Sequence, residues 1–256
     1  MKTRVRTGVC AATALVLFPV LTACGQDARP QSGRKAAPLH DSSAGGKSAP
    51  APQSARTDAA PTPELPGLGP RTRGEVGPET RQALVVTGRD RNSSDAEAVL
   101  YEKTDDGWKA GPVWPAQNAR RGWTGHHVRG DLRSPIGVYG LTDAGGLLKD
   151  PGTKLPYDQG RGYTIDRTDD SGQSLRGSFD YVVAINYNRH AGRSPLDWGR
   201  PLGDGRGGGI WLHVEHTTPT QGCVALKREV MRELLRALDP AKKPVVVMGP
   251  KADLAK

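Results

Sequence analysis

GGGIWLHVEHTTPTQGCVAL, residues 207–226, reads as a strand, a loop and a return. In its first half Ile210, Leu212 and Val214 alternate with Trp211, His213 and Glu215, so one face of the strand is core and the other meets a wetter surface. His213 is therefore a strand residue presented toward a cleft. Thr217, Thr218, Pro219 and Thr220 form a loop, and Gly222-Cys223 follows. A chain that runs out, turns and comes back can bring Cys223 into hydrogen-bonding contact with His213. A cysteine thiol is mostly protonated at neutral pH, and a neighbouring imidazole makes the thiolate accessible. The small Gly222 admits a substrate carbonyl to the backbone, where its N–H and that of Cys223 can form an oxyanion hole. The residues alone leave a second reading open, because a Cys among Gly, Val and Ala is also the pattern of a small buried apolar side chain.

Working outward, short apolar runs recur at Ala83 to Thr87, Ala98 to Tyr101, Trp108 to Trp114, Ile136 to Leu141, Phe179 to Asn186, Gly209 to Val214 and Pro244 to Met248. Clusters of Gly, Pro, Asp and Asn separate them, which is the punctuation of a sandwich or barrel. One amphipathic helix follows the Cys: in KREVMRELLRALDP (227–240) the side chains of Val230, Met231, Leu234, Leu235 and Leu238 share a face, and Asp239-Pro240 ends it. The expected class is mainly β, a mixed sandwich or barrel-like domain with that one helix.

The chain has 256 residues, with 33 Gly, 21 Pro and 5% aromatic residues, too much Gly and Pro for a helical bundle. Mean hydropathy is -0.56, and the only long apolar stretch lies at the N-terminus, which excludes a polytopic membrane protein. A net charge of +9 suits an anionic surface. No zinc-finger spacing or RNA-binding aromatic motif accompanies it, so nucleic acid is not an expected partner. Lys2, Arg4 and Arg6 precede a compact apolar segment, Gly8 to Val20, which fits a signal peptide better than a membrane helix. Leu21-Thr22-Ala23-Cys24-Gly25 then resembles the lipobox of bacterial lipoproteins, whose cysteine carries the lipid. On that reading residues 1–23 are removed, Cys24 is lipidated, and Cys223 is the one thiol left in the mature chain. Residues 24–78, rich in Pro, Ala, Ser and Gly and devoid of Phe, Trp and Tyr, read as a disordered tether. The folded domain is expected over 79–250, with 251–256 a short tail.

Two motifs carry a family resemblance. Thr220-Gln221-Gly222-Cys223, preceded by the His213 strand, is similar to the strand-His and Ser/Thr-His-Gly-Cys motif of the L,D-transpeptidases. Gly130-Asp131-Leu132-Arg133-Ser134-Pro135-Ile136-Gly137-Val138-Tyr139 is similar to their Gly-Asp-x-x-Thr/Ser-Pro-x-Gly-x-Phe/Tyr signature. The order is right, and the two motifs with the helix span most of residues 79–250. Gln221 departs from the pattern by standing where the family has His, and Ala225 stands where Arg often follows. The resemblance implies a peptidoglycan cross-linking enzyme without cofactor or metal. In it Cys223 is the nucleophile and His213 the proton donor and acceptor, while Gly222 and Cys223 hold the oxyanion. Trp211, Thr220, Gln221, Ser134 and Tyr139 are expected along the substrate cleft. Its partners would be stem peptides, a tetrapeptide donor and an amine acceptor, and its place the outer face of the cell membrane, lipid-anchored and reaching into the wall.

Three rivals stand beside that reading. A carboxypeptidase would resolve the same acyl-enzyme with water. A metal enzyme would gather His126, His127, His213 and His216 with Cys223, against which His-x-x-His on a regular strand turns its two rings to opposite faces. A wall-binding lipoprotein would keep the charge and tether and have no use for Cys223. His126 and His127 are expected on the sheet surface near the Ser134-Pro135 turn, and His190 and His216 in loops. Trp108, Trp114, Trp123 and Trp198 are expected to be core or sugar-facing.

Overall fold

The computed structural model describes residues 59–169 and 171–256. The expected leader, Cys24 and the tether as far as residue 58 lie outside the described residues.

Eleven strands and three helices are described. In chain order they are α1 (Pro70–Glu75), β1 (Gln82–Gly88), β2 (Asp95–Thr104), β3 (Gly107–Gln117), β4 (Trp123–Thr124), β5 (Ser134–Pro135), β6 (Gly137–Gly146), β7 (Tyr157–Gln159), β8 (Val182–Ile185), β9 (Trp211–Val214), β10 (Val224–Leu226), α2 (Arg228–Ala237), β11 (Val245–Pro250) and α3 (Lys251–Leu254). Nine strands form one sheet in the order β11-β1-β2-β3-β10-β9-β8-β6-β7, and β6 also pairs with β11, which closes the sheet on itself. The long β6 makes this possible by dividing its length. Gly137 to Gly140 pair with β11, and Leu141 to Gly145 pair with β8. Closure removes the open edges that an eight-strand sheet would otherwise expose. The mainly β, barrel-like class expected from the punctuation is the one found. Each expected strand lies in or overlaps an observed one, and the expected helix is α2, whose Val230, Met231, Leu234, Leu235 and Leu238 are all buried in the main core.

The domain is longer than its sequence suggests. In β1, Leu84 and Val86 enter the main core, while Ala83 and Val85 point the other way and are also buried. A strand buried on both faces needs cover on both. On the outer side that cover is Leu65 and Leu68, from the stretch read as tether, together with Leu254 from α3, packed on Val247 and Trp108. Thr62 pairs with Trp108 through two backbone hydrogen bonds of 2.7 and 3.0 Å. The boundary at residue 79 and the reading of 251–256 as a short tail beyond the domain are thereby corrected, because β1 and β11 have a second apolar face that these segments bury. A domain begun at residue 79 is expected to be less stable than one begun at 59. Losing the burial of Leu65 and Leu68 against β1 and β11, at roughly 1.5–3 kcal/mol each, gives a loss of about 3–6 kcal/mol. Urea unfolding of the two domains checks this, and coincident midpoints would contradict it.

Candidate active site

β9 and β10 are parallel neighbours, with Val224 opposite Leu212 and Ala225 opposite His213. The link between them, residues 215–223, is shorter than the dozen or more residues that usually join parallel strands. It must double back along β9, and so delivers Cys223 beside Trp211. His213 and Cys223 then lie on the same face of adjacent strands as diagonal neighbours. Both line a cleft of about 640 Å³ whose walls also include His127, Phe179, Gly209 and Gln221.

The alternation expected along the His213 strand is present, with Ile210, Leu212 and Val214 in the core. His213 is nonetheless only 3% exposed, because Phe179 meets its ring edge-on at 5.5 Å and His216 stacks on it at 5.8 Å. Its Nδ1 lies 2.8 Å from the Val214 carbonyl. Only an N–H can satisfy a carbonyl, so the proton sits on Nδ1 and Nε2 keeps its lone pair. Burial pushes this imidazole down to about 4, with the facing His216 acting in the same direction and the Val214 carbonyl opposing.

The thiol is equally constrained. Cys223 Sγ accepts from the Trp211 N–H at 3.4 Å and donates to the Gly209 carbonyl at 3.6 Å. The expected thiol–imidazole hydrogen bond is therefore replaced, at rest, by one to the backbone. Burial raises the thiol to about 11, only partly offset by the Trp211 N–H. Thiol and imidazole both rest neutral.

The two motifs meet at the cysteine carbonyl. Thr220 Oγ1 donates to the Cys223 carbonyl at 2.6 Å, and Ser134 Oγ donates to it at 3.3 Å while accepting from the Ala119 N–H at 3.0 Å. Two hydroxyls from distant segments thus fix the peptide plane that carries the nucleophile. Thr220 and Gln221 line the cleft as expected. Ser134 is fully buried behind Cys223 and Tyr139 packs edge-on against Tyr187 at 5.7 Å, so neither faces the cleft. The Trp211 ring packs on Phe179 at 5.1 Å and on Tyr163, leaving its N–H as its contribution to the site. These three expectations are corrected: the Ser-Pro-x-Gly-x-Tyr segment supports the site from below, and Trp211 supports it from the side.

His216 lies in a loop, as expected, but the strand alternation invoked for its facing does not reach it. β9 ends at Val214, and Glu215 donates to the Leu226 carbonyl at 2.7 Å as the chain turns. His216 therefore comes to the same side as His213 and stacks on it, instead of facing away as a regular strand would require. His127 is not on an open sheet surface but buried in the cleft wall, while the exposed His126 meets Arg206 Nη1 at 3.0 Å. Among the described residues no group of three or more His, Cys, Asp or Glu side chains is placed to hold a metal ion. Trp114 and Trp123 are core, Trp108 belongs to the outer cluster, and Trp198 stands 79% exposed at the cleft rim with Arg200 stacked 5.2 Å from its ring. The cleft role for His127, the lesser of the two readings its sequence allowed, is the one found.

A model of the YkuD family, the L,D-transpeptidase catalytic domain, matches residues 77–247. Among solved structures, the chain is similar to that of Bd1075 from Bdellovibrio bacteriovorus, at 15% identity and a TM-score of 0.36, over 69% of this chain and 52% of that one. The chain thus spans about half the length of that protein. Among curated proteins no match is found.

Proposed function

Since the chain belongs to the YkuD family of L,D-transpeptidase catalytic domains, we propose that it cross-links peptidoglycan through a thioester on Cys223. The observation that supports this most directly is one cleft face holding a thiol and an imidazole whose Nε2 bears a lone pair. In the proposed reaction the thiol turns from the Gly209 carbonyl toward His213 Nε2. The proton passes to that nitrogen as sulfur attacks the carbonyl of the third stem residue. A resting ion pair is not needed, and burial of both groups disfavours one. The Gly222 and Cys223 N–H groups, which precede the Cys223 carbonyl anchored by Thr220 and Ser134, receive the developing oxyanion. His213 then protonates the departing amine of the fourth residue. An amine from a neighbouring stem attacks the thioester, giving a 3→3 link and releasing the thiol. This covalent chemistry draws on no cofactor.

The product separates the proposal from its rivals. Incubation of the protein with a disaccharide-tetrapeptide, followed by mass analysis, is expected to give a cross-linked dimer. A tripeptide as sole product would favour a carboxypeptidase with water as acceptor, and an unchanged peptide would favour a wall-binding protein.

We further propose that the protein is lipid-anchored through Cys24 on the outer face of the membrane. Acylation of a lipobox requires the cysteine sulfur, so Cys24→Ser is expected to abolish incorporation of a labelled fatty acid and release the protein from the membrane fraction. Undiminished labelling of that variant would refute the anchor.

A further inference from the structure

We propose that His127, held by Asp131, is a second catalytic base, serving the acceptor amine when the thioester is resolved. The inference rests on the transpeptidase reading above and assigns that reaction's second half to a residue outside both family motifs' Cys–His pair. His127 Nδ1 lies 3.0 Å from Asp131 Oδ1. No aligned hydrogen bond joins the two, but a carboxylate oxygen this near repels a lone pair, so the proton of neutral His127 is on Nδ1 and the lone pair on Nε2, the same tautomer as His213. The carboxylate is itself clamped, since Oδ2 accepts from the Val128 N–H at 3.0 Å and Oδ1 from the Arg133 N–H at 2.9 Å. The ring is fixed by an edge-on contact with Tyr187 at 5.3 Å, and the Tyr187 hydroxyl donates to the His127 carbonyl at 3.2 Å. This is a rigid, oriented imidazole.

Its position is what gives it a task. His127 lines the same cleft as Cys223. A Cβ added to Gly222 would stand 3.8 Å from His127 Cε1 and 2.9 Å from Ile210 Cδ1, so the ring sits beside the proposed oxyanion glycine. A Cβ on Gly207, whose φ is +65, would stand 2.9 Å from His127 Nε2. Nε2 therefore faces the Gly207 backbone, which leads through Gly208, where the Arg200 side chain lies against the chain, to Gly209, whose carbonyl holds the thiol. An amine approaching Cys223 along those glycines meets Nε2. His213, by contrast, comes from β9 under Phe179 and His216.

The second half-reaction also needs a base, and the one on the acceptor's side of the cleft is His127. In the first half-reaction His213 takes the thiol proton and returns it to the departing amine, ending neutral. In the second, a neutral acceptor amine attacks the thioester carbon: its N–C bond forms, the C–S bond breaks, and the nitrogen sheds one proton. We assign that proton to His127 Nε2, where the Asp131 carboxylate stabilises the imidazolium. The thiolate regains a proton from solvent, His127 releases its own to solvent, and the balance closes.

The test measures the two halves separately. The purified protein is acylated at Cys223 with an N-acyl-alanyl thiophenyl ester, and separately with the tetrapeptide. Loss of the acyl adduct is then followed against the concentration of an added amine, such as glycinamide. His127→Gln is expected to lose about 10²-fold or more in aminolysis beyond whatever it loses in acylation, in the usual range for general base catalysis. Asp131→Asn removes the charge while keeping an acceptor. It is expected to lower the aminolysis maximum and move its pH limb to lower pH, with acylation unmoved. Burial holds His127 below the usual imidazole value; of the charged groups facing it, Asp131 favours the imidazolium and Arg206 opposes it. Aminolysis at the unchanged rate in His127→Gln, or equal losses in both halves, would overturn the proposal. Protein that accepts the thiophenyl ester but ignores the tetrapeptide would instead sink the transpeptidase reading, while the thioester arm still decides the role of His127.

Discussion

Replacing Cys223 by Ala is expected to abolish acylation and turnover while the domain stays folded. The loss should be complete, because the thioester has no other sulfur on which to form: the sequence holds Cys10, Cys24 and Cys223, and the first two precede the described domain. The fold should tolerate the change. Cys223 lines the cleft rather than the core, and its contacts are two long sulfur hydrogen bonds to backbone. A carbapenem should add once to the unchanged domain and not at all to the variant, with matching circular dichroism. Turnover by Cys223→Ala would remove the cysteine mechanism altogether.

His213→Ala should cost acylation at least about 10²–10⁴-fold, the usual range for a lost acid–base group. Gln221 cannot titrate, and it is an exposed side chain at the cleft edge. Gln221→Ala should therefore cost no more than a hydrogen bond, about 0.5–1.5 kcal/mol. His216→Ala tests the remaining possibility. It removes the ring stacked on His213, and is expected to change the rate far less than His213→Ala. The pH dependence follows from the two neutral groups. A base works only when unprotonated, so acylation should hold steady through neutrality and fall only as pH drops toward about 4, where His213 takes up a proton. The thiol, pushed up to about 11, gives the opposite limb at high pH. The pair titrates as a unit, so the observable is a broad plateau. A narrow bell centred near pH 7 would contradict the neutral resting pair, and a crippled His216→Ala beside a normal His213→Ala would reassign the base.

The same residues explain what the sequence revealed and what it withheld. Alternation exposed the strands because closed sheets bury one face of each strand, and the His213 strand is the clearest case. It could not reveal that Ala83 and Val85 are also buried, since nothing local in β1 says what covers the second face. That cover comes from Leu65 and Leu68, two apolar side chains in a Pro- and Gly-rich run whose composition alone reads as unfolded. Cys223 and His213 were legible because a short strand–loop–return keeps them close in sequence. The departure at His216 arose where the strand stops: periodicity assumes a strand that continues, and this one turns at Glu215. Ser134 and Tyr139 belong to a recognisable motif, but the motif does not tell which side of Cys223 it occupies. His127 was the hardest to read, since its meaning depends on Tyr187 and Gly207 arriving from two other parts of the chain.

The central claim is that Cys223 carries the stem peptide as a thioester, and it can be tested in one trapped reaction. The protein is mixed with a disaccharide-tetrapeptide, quenched in acid within the first turnover, digested, and its peptides weighed. The account predicts that the peptide containing Cys223 gains the mass of the disaccharide-tripeptide acyl group, that free D-Ala appears in equal amount, and that hydroxylamine removes the adduct. An unmodified Cys223 peptide in a sample that is nonetheless consuming tetrapeptide would contradict it.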